Sequence, residues 1–567
     1  MPEVSSISRP WLESYPPGVP QRYEYPLVGL TRFLDDAAQD FPETAALEFN
    51  GMELSYGKLL DQVDRLAGAL QGLGLGRGDR VALVMTNCPQ HVIALFGILR
   101  IGATAVEIDP GLETEELSRQ LAEAQVRAIV FVDPVFDGLQ WLLGRLPTVE
   151  HLIGTGVHEY LPFSKRVLFP LTGRRNGEYV RIPSSEGVLR LVDLIKRSAP
   201  VFVHTEIDPA RDVAVMFYTG DTGDQADEPK GVMLTHSSLV ANAFQGRLWI
   251  PDVQAGRERI LCPVPFSTAW GLVGCLGVGT LSAATLVLTE FDGELVRRAI
   301  DQQQPSLCMA TAAMYTELAD APDAADFDLS SLRVCLSHGE PLPTDVVDRV
   351  EELTGGKLRE CWGPPEAGPF ALANPVYGMA KSGSIGLPVT DTVCAVIDER
   401  DPSRPVPPGR RGELAIHGPQ VFSGYWARAS DTAAVLSGGW LLTGEDVVID
   451  EAGYFHLVDP SPDVIRTGGG DVHPCDVEAV LLGHPKIAEA VVAGIPGFSG
   501  GELLKAYLVL ERGQSATSAE IDGFCRSRLA PYQVPRRYEF RAFLPHTLPG
   551  APMREALIAE EIIDLDP

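Results

Sequence analysis

Helix-type and strand-type patterns of hydrophobic residues alternate along most of this chain. Residues 56–73 repeat apolar side chains at helical spacing, and the short apolar run 80–85 is typical of a buried strand. The alternation continues in the helix-type segments 89–99 and 117–124 and in the strand-type segments 103–107 and 128–132. Strands separated by helices in this rhythm predict an α/β fold with a largely parallel sheet.

The sequence near the start of the chain predicts two structural features. The Pro-rich residues 1–24 predict an extended arm over the surface. The strand-type runs 45–49 and 52–56 flank Asn50-Gly51, a favoured two-residue turn, and so predict a β-hairpin.

Two segments raise the question of a membrane. Residues 160–170 read YLPFSKRVLFP, and this mixture of rings, apolar side chains and cations suits a membrane interface. A packed insertion explains it too, and we favour the insertion because no sustained basic amphipathic helix is evident. The apolar run 271–288 is rich in small residues and falls short of the about 20 strongly apolar residues that span a bilayer, so we interpret it as core.

Composition narrows the classes of function. The chain has 567 residues, enough for several subdomains, and a net charge of −30, which argues against nucleic acid as a partner. Its nine cysteines include no C-x-x-C pair, and the N-terminus lacks the pattern of a signal peptide. We therefore expect reduced thiols and a cytoplasmic protein, with peripheral membrane association left open.

The most informative stretch is 213–242. An apolar strand-type run, 213–218, leads into a loop rich in Gly and Thr that carries Lys230, and a capped helix start follows at 235–239. Glycines let a backbone approach closely, hydroxyl and N–H groups donate, and a lysine supplies charge. The pattern predicts a phosphate-binding loop.

This stretch resembles the phosphate loop of AMP-forming acyl-CoA synthetases, the adenylate-forming ligases. The similarity rests on Tyr218-Thr219-Gly220 and on Pro229-Lys230-Gly231, and it extends over about residues 25–560. The segment around 160–170 is similar to the long-chain fatty acid CoA ligase branch. The resemblance implies a large N-terminal domain of stacked α/β subdomains with a β-barrel-like part, residues 1–459. It also implies a small mobile α/β domain, residues 460–567.

The resemblance also implies site residues. The residues that it implies for nucleotide binding are Thr219, Thr222, Gly223, Lys230, Gly339, Trp362, Gly363, Glu366 and Glu445. Lys230 and Glu366 would serve catalysis if the chain is active, and Glu366 matches the acid associated with magnesium. The acyl pocket falls on Trp270, Gly271 and Gly274, although close helix packing explains these small residues equally well. The residues that it implies for contact with the CoA arm are Arg466, Gly468, Gly469, Gly470 and His473. ATP with magnesium, and CoA or acyl-CoA, are the ligands implied.

Several positions depart from the family pattern. Asp221 replaces a loop glycine, and the acids Asp224, Asp227 and Glu228 follow it. Pro365 stands at the position of the family's threonine, Pro460 at that of an arginine, and Pro462 at that of the hinge residue. Glu445 replaces the ribose-binding aspartate, and Ala551 replaces the C-terminal lysine. A carboxylate about 5 Å from a phosphate charge costs about 3 kcal/mol at an effective dielectric of 20. A proline at the hinge hinders the rotation of the small domain.

Three hypotheses of function follow. The first is a working acyl-CoA ligase with displaced catalytic groups, and for a member of the long-chain fatty acid CoA ligases with these departures we expect weak or lost adenylation. The second is a non-adenylating protein that binds a fatty acid or acyl-CoA, or a scaffold subunit of a larger assembly. The third is an enzyme with ATP-independent chemistry, for which the sequence supplies no convincing nucleophile and base. A protein partner or a homo-oligomer is compatible with each hypothesis.

Overall fold

The computed structural model divides into two compact units, Met1–Leu457 and Val458–Pro567. In the first, the residues described are 2–176, 180, 182, 187–200, 202–219, 229–398 and 401–457. In the second they are 458, 465–467, 470–472, 474–496, 502–511, 513–526, 528–529, 533–541 and 544. All structural statements below refer to these residues.

The helices of the described residues are α1 (Arg32–Asp40), α2 (Tyr56–Gly72), α3 (Pro89–Arg100), α4 (Thr114–Glu123), α5 (Phe136–Leu142), α6 (Phe163–Asn176), α7 (Leu191–Arg197), α8 (His236–Trp249), α9 (Val278–Leu281), α10 (Gly293–Gln303), α11 (Ala312–Asp320), α12 (Thr344–Thr354), α13 (Ala429–Val435), α14 (Pro474–Leu482) and α15 (Ser518–Arg526).

The strands up to the middle of the chain are β1 (Ala45–Phe49), β2 (Met52–Ser55), β3 (Arg80–Val84), β4 (Thr104–Ile108), β5 (Ala128–Val132), β6 (His151–Thr155), β7 (Leu189–Arg190), β8 (Val213–Tyr218), β9 (Gly231–Thr235), β10 (Arg259–Cys262), β11 (Thr285–Leu288), β12 (Leu307–Ala310), β13 (Val334–His338) and β14 (Lys357–Trp362).

The later strands are β15 (Leu372–Ala373), β16 (Leu387–Pro388), β17 (Val393–Asp398), β18 (Asp401–Pro405), β19 (Gly412–His417), β20 (Gly424–Tyr425), β21 (Leu436–Ser437), β22 (Trp440–Ile449), β23 (Phe455–Leu457), β24 (Ile465–Thr467), β25 (Gly470–Val472), β26 (Ile487–Pro496), β27 (Glu502–Leu510) and β28 (Arg537–Arg541).

Two large sheets form the centre of the first unit. One has nine strands in the order β16-β15-β14-β13-β12-β10-β11-β1-β2, and the other has eight in the order β20-β9-β8-β4-β3-β5-β6-β7. Most neighbouring pairs are parallel, as the alternation of helices and strands predicts. Helix α2 packs on β1 and β2 of the first sheet and on α3, which packs on β3 and β4 of the second.

A mostly antiparallel sheet completes the first unit. It has six strands in the order β18-β17-β19-β22-β21, with β23 paired to β22, and it corresponds to the predicted β-barrel-like part. The second unit contains the three-stranded sheet β26-β27-β28 and the pair β24-β25, with α14 packed on β26. The predicted α/β fold class with large and small parts is confirmed.

The predicted hairpin is confirmed. Asn50 and Gly51 have φ values of 53° and 92°, as a turn with two left-handed residues requires. Residues 163–176 form helix α6, which the pattern of residues did not predict. Pro170 disfavours a helix interior, and its effect was overridden in the tertiary structure.

The N-terminal arm is docked against the rest of the first unit. Trp11 is buried, with its ring centroid 6.0 Å from that of Phe455. The Tyr15 hydroxyl donates to the Pro388 carbonyl at 2.9 Å, and the Ser14 hydroxyl donates to the Ala452 carbonyl at 2.8 Å. The residues around 452–455 therefore depend on the arm for part of their packing.

The apolar run after Gly271 is buried in the first unit, as expected for core. A search of the described helices finds none with the length and hydropathy needed to cross a bilayer.

Candidate nucleotide and acyl site

The predicted phosphate loop lies at the tip of the antiparallel pair β8 and β9. Tyr218 is the register partner of Gly231, and the Thr219 N–H donates to the Lys230 carbonyl at 3.0 Å. The Lys230 N–H in turn donates to the Thr219 hydroxyl at 3.0 Å. The two ends of the loop are thus held together, while Thr222, Gly223 and the acids Asp221, Asp224, Asp227 and Glu228 lie outside the described residues.

Tyr425 lies between Lys230 and Glu366. The short strand β20 pairs with β9 and so brings Tyr425 beside the end of the phosphate loop. The Lys230 Nζ lies 5.7 Å from the centre of the Tyr425 ring, and the Tyr425 hydroxyl donates to Glu366 Oε1 at 2.8 Å. Burial and the neighbouring Glu366 carboxylate raise the pKa of the Tyr425 phenol, so it stays a donor. The structure therefore joins the two predicted catalytic residues through a third side chain.

Glu366 is held by a short turn that begins with two prolines. Pro364 precedes the single helical turn Pro365–Ala367, and Glu366 is buried. The Glu366 carbonyl accepts the Phe422 N–H at 2.8 Å. Pro365, at the position of the family's threonine, has neither a hydroxyl nor an N–H to offer.

Trp362 and Gly363 end strand β14 just before this turn. Trp362 is half-buried, and its carbonyl accepts the Ala371 N–H at 3.1 Å. A Cβ on Gly363 would come within 2.2 Å of the Gly368 carbonyl oxygen, so the close turn requires glycine. Gly339, by contrast, has a φ of 106° and open space around its Cβ position, which leaves room for a ligand.

Glu445 follows a turn of strand β22. Its N–H donates to the Thr443 hydroxyl at 3.1 Å, and the Gly444 N–H donates to Glu413 Oε1 at 2.9 Å. Burial, together with the neighbouring Asp446 carboxylate, raises the pKa of Glu445. Asp446 itself is paired with Arg411.

A small cavity connects these turns. It has a volume of about 320 Å³, and its lining includes Pro364, Glu366, Glu413, Tyr425 and Thr443. We name it the carboxylate cavity, because its lining contains two carboxylates and no lysine or arginine among the described residues.

The residues present fit a magnesium–nucleotide complex only in part. Magnesium is often held by one or two carboxylates together with substrate phosphates, and Glu366 can provide such a ligand. No group of three or more His, Cys, Asp and Glu side chains that could hold a metal occurs in the described part of the chain. Trp362, Gly339 and Glu445 suit an adenosine moiety, whereas Pro365 does not suit a phosphate.

The predicted acyl-pocket residues are closely packed. The segment Trp270–Gly277 is a π-helix, and a Cβ on Gly271 would come within 2.1 Å of the Pro265 carbonyl oxygen. A Cβ on Gly274 would come within 2.9 Å of the Trp270 ring. These glycines serve close packing. None of Trp270, Gly271 and Gly274 lines the carboxylate cavity or the larger cavity that is described below.

Trp270 is covered by an imidazole. The rings of Trp270 and His338 are stacked, with centroids 5.0 Å apart and an interplanar angle of 17°. His338 Nε2 lies 3.0 Å from the Gly363 carbonyl, and burial lowers the pKa of His338 to about 4. A neutral ring is consistent with this stacked, buried position. The Thr268 hydroxyl accepts the Gly271 N–H at 3.1 Å near the start of the π-helix.

A larger cavity lies beside the hairpin β1-β2. It has a volume of about 530 Å³, and we name it the hairpin cavity. The apolar part of its lining includes Phe49, Val132, Val157, Leu161, Phe169 and Leu288. The polar part includes Glu48, Lys165, Glu290, Arg298, Gln302 and Gln303. A volume of about 300–1,000 Å³ is typical of small-molecule sites.

The predicted CoA residues are only partly described. Arg466 lies in β24 and Gly470 in β25, and the two strands pair antiparallel. Gly468, Gly469 and His473 lie outside the described residues, as do Pro460, Pro462 and Ala551. The predictions for these positions stay predictions.

Sequence reasoning missed Tyr425 and His338 as parts of the site. Tyr425 lies in a stretch, 412–426, that matched the family and was interpreted as structural. His338 lies next to Gly339 in the predicted adenine-side loop. Only its contact with Trp270, far away in the chain, gives it a place in the site.

The buried carboxyl of Glu360, two residues before Trp362, should make the free energy of unfolding depend on pH. Burial raises the pKa of Glu360 to about 7, although the Leu342 N–H donates to its Oε2 at 3.2 Å and acts in the opposite direction. In the unfolded chain a glutamate ionises near pH 4.3. Between about pH 4.3 and 7 the folded protein holds a proton that the unfolded chain has lost, so its free energy of unfolding falls as pH rises.

We therefore expect Glu360→Gln to stabilise the protein at pH 8 by on the order of 2 kcal/mol and to have little effect at pH 4.5. Glutamine keeps an oxygen that accepts the Leu342 N–H. Denaturant unfolding at the two pH values measures the difference, and Glu352→Gln at an exposed position is the control. An equal effect of Glu360→Gln at both pH values would contradict the prediction.

The fold and the site define an adenylate-forming ligase architecture. Similar solved structures include a Mycobacterium tuberculosis fatty acyl CoA synthetase, with 23% identity and a TM-score of 0.71 over 94% of this chain and 99% of that chain. The anthranilate CoA ligase AuaEII in complex with anthranoyl-AMP has 24% identity and a TM-score of 0.69 over 96% and 99% of the two chains. At this level of identity the likeness concerns the fold.

Comparison of sequences gives the family. The family model described as AMP-binding enzyme matches residues 34–426, and the model described as AMP-binding enzyme C-terminal domain matches residues 476–550. A long-chain-fatty-acid–CoA ligase of Bacillus subtilis (strain 168) is 38% identical over 98% of both chains. One of Escherichia coli O157:H7 is 32% identical over 97% of this chain and 98% of its own. The chain belongs to the AMP-binding enzyme family, within the group of long-chain fatty acid CoA ligases.

Proposed function

We propose that this protein binds a long-chain fatty acid or its acyl-CoA and carries out ATP-dependent adenylation weakly or not at all. The observation that carries the proposal is the turn at Pro364 and Pro365. The family uses a threonine next to the magnesium-associated acid, and this chain has a proline there, immediately before the buried Glu366.

The reaction of the relatives depends on charge stabilisation. Forming an acyl-adenylate requires donors aimed at the phosphate, and losing one such donor costs about two to three powers of ten in rate. Pro365 cannot donate to a phosphate. The carboxylate cavity beside it contains Glu413 in addition to Glu366, the acid that matches the family's magnesium-associated residue. Asp221 and Ala551 are further departures in the sequence.

Binding of an acyl chain has support of its own. The hairpin cavity has the volume of a small-molecule site. Its apolar residues can contact a hydrocarbon chain, and Lys165 and Arg298 in the same lining can pair with a carboxylate. This observation favours the second hypothesis, a non-adenylating protein that binds a fatty acid or acyl-CoA, over a purely structural subunit.

Calorimetric titration tests the proposal. We expect no heat of binding for ATP with magnesium at micromolar affinity and clear binding of a long-chain acyl-CoA or fatty acid. Micromolar binding of ATP would favour a working ligase. Absence of binding in both titrations would favour a structural subunit, and its partner would then be the next question.

A further inference from the structure

A third cavity lies away from the candidate nucleotide site. It has a volume of about 730 Å³, larger than the hairpin cavity and the carboxylate cavity, and its lining comes from helices α2, α6 and α7 and from the short helical turn Val157–Tyr160. We name it the three-helix cavity. Its lining shares no residue with the other two cavities, and its volume is typical of a small-molecule site.

The two carboxylates of this lining are engaged with partners. Asp61 Oδ2 accepts the Arg65 Nε–H at 2.7 Å. Glu159 Oε1 accepts from Arg190 at 3.0 Å, and Glu159 Oε2 accepts the Thr155 hydroxyl at 2.7 Å. Because Arg190 and Thr155 do not belong to the lining, Glu159 is held by the wall behind the cavity.

Two cations of the lining have no such partner. Arg166 on α6 and Lys196 on α7 form no ion pair with a carboxylate among the residues that the structure describes. Arg166 lies 5.7 Å from the centre of the Phe163 ring, a contact that leaves hydrogen-bonding capacity on its guanidinium. In a chain of net charge −30, two such cations from separate helices at one cavity indicate an anionic ligand.

The rest of the lining is neutral. The Tyr160 hydroxyl donates to Gln62 Oε1, and this bond uses the amide oxygen and leaves the Gln62 NH₂ group as a donor. Burial lowers the pKa of His158, so its imidazole is neutral near pH 7. Val192 and Ile195 of α7 add apolar surface. The lining therefore combines cations and donors with an apolar wall.

We propose that the three-helix cavity binds a phosphate monoester of a small organic molecule. A phosphate monoester carries about 1.5 to 2 negative charges near pH 7, which Arg166 and Lys196 together can neutralise. The planar guanidinium of Arg166 suits two phosphate oxygens, and the ammonium of Lys196 supplies a point charge. The organic part of the ligand lies against Val192 and Ile195. This site does not depend on the acyl binding proposed above.

Calorimetric titration of the full chain tests the site, with phenyl phosphate as the probe. We expect saturable binding with a dissociation constant below about 1 mM, and weaker binding when salt is raised, because the attraction is screened. Inorganic phosphate should bind at least about threefold more weakly, since it lacks the ring that contacts the apolar wall. Absence of saturable binding of phenyl phosphate would overturn the proposal.

A pair of double variants locates the anion. The variant Arg166→Gln, Lys196→Gln should bind phenyl phosphate at least about tenfold more weakly, because it removes both charged partners of the phosphate. The control Lys58→Gln, Arg197→Gln removes two exposed cations of α2 and α7 that lie outside the lining, and it should bind like the unchanged protein.

The two variants change the net charge by the same amount, and glutamine keeps the helix propensity. Equal loss in both variants would mean that a general attraction to positive charge explains the binding, and it would overturn the proposal. Unaltered binding in Arg166→Gln, Lys196→Gln would place the anion elsewhere and would overturn it too.

Displacement of a fluorescent long-chain fatty acid separates this site from the hairpin cavity. Phenyl phosphate should not displace the fatty acid, because the two linings share no residue. Displacement would mean that both ligands occupy one cavity, which contradicts a separate anion site. Failure of the fatty acid to bind, with phenyl phosphate binding intact, would overturn the acyl proposal and leave the three-helix cavity in place.

Discussion

Pyrophosphate exchange driven by a long-chain acid should be at least about a hundredfold slower in this protein than in the Bacillus subtilis ligase assayed beside it. The reason is the loss of groups that stabilise charge at the phosphate, each worth about two to three powers of ten in rate. Pro365 is the departure that the structure describes, next to Glu366 and the acidic lining of the carboxylate cavity. Ala551 stands at the position of the family's lysine.

Restoring the missing groups should raise the rate. We expect Pro365→Thr combined with Ala551→Lys to increase exchange at least about tenfold, less than the product of the two single effects because the effects of groups that act in the same step need not add. The control is Pro365→Thr combined with Ala551→Met, which restores length at position 551 without charge. A rate in the unchanged protein within about tenfold of the Bacillus subtilis ligase would contradict the proposed impairment.

Filling the hairpin cavity should abolish most acyl binding. Ala299 on α10 lines the cavity, and Ala299→Trp places an indole in the space proposed for the hydrocarbon chain. Excluding about three CH₂ groups, each worth about 0.8 kcal/mol, weakens binding about fiftyfold. Displacement of a fluorescent long-chain fatty acid measures the change.

Two controls apply to Ala299→Trp: the length of the fatty acid chain and a substitution at another position of the same helix. An eight-carbon acid should lose less affinity than a sixteen-carbon acid, because a shorter chain reaches less of the filled space. Asp301→Trp, at an exposed position on the same helix and outside the cavity lining, should leave binding unchanged. Unaltered binding in Ala299→Trp would show that the acyl chain lies elsewhere.

Some parts of the fold could be predicted from the sequence and others could not, for a physical reason. The hairpin at Asn50-Gly51 and the strands flanking the phosphate loop were predicted because turn chemistry and hydrophobic spacing act within a few residues. Helix α6 was not predicted, since Pro170 and the mixed composition hide its periodicity. In the structure Phe169 stacks on His158 while Phe163 is exposed to solvent, contacts that the sequence pattern does not encode.

The candidate site shows the same division. The motifs placed Lys230 and Glu366 in one site by resemblance, but Tyr425 between them follows from the pairing of β20 with β9. Gly271 and Gly274 were compatible with a pocket or with packing, and the structure uses them for close contacts with Pro265 and Trp270.

The sequence by itself determined the α/β class and the family, because these depend on local patterns and on residue identity. The tertiary structure decided which side chains meet. The stacking of His338 on Trp270 and the two-faced helix α6 over the hairpin cavity join residues far apart in the chain. Such contacts depend on strand order and on how side chains fill the space between elements, which no local pattern encodes.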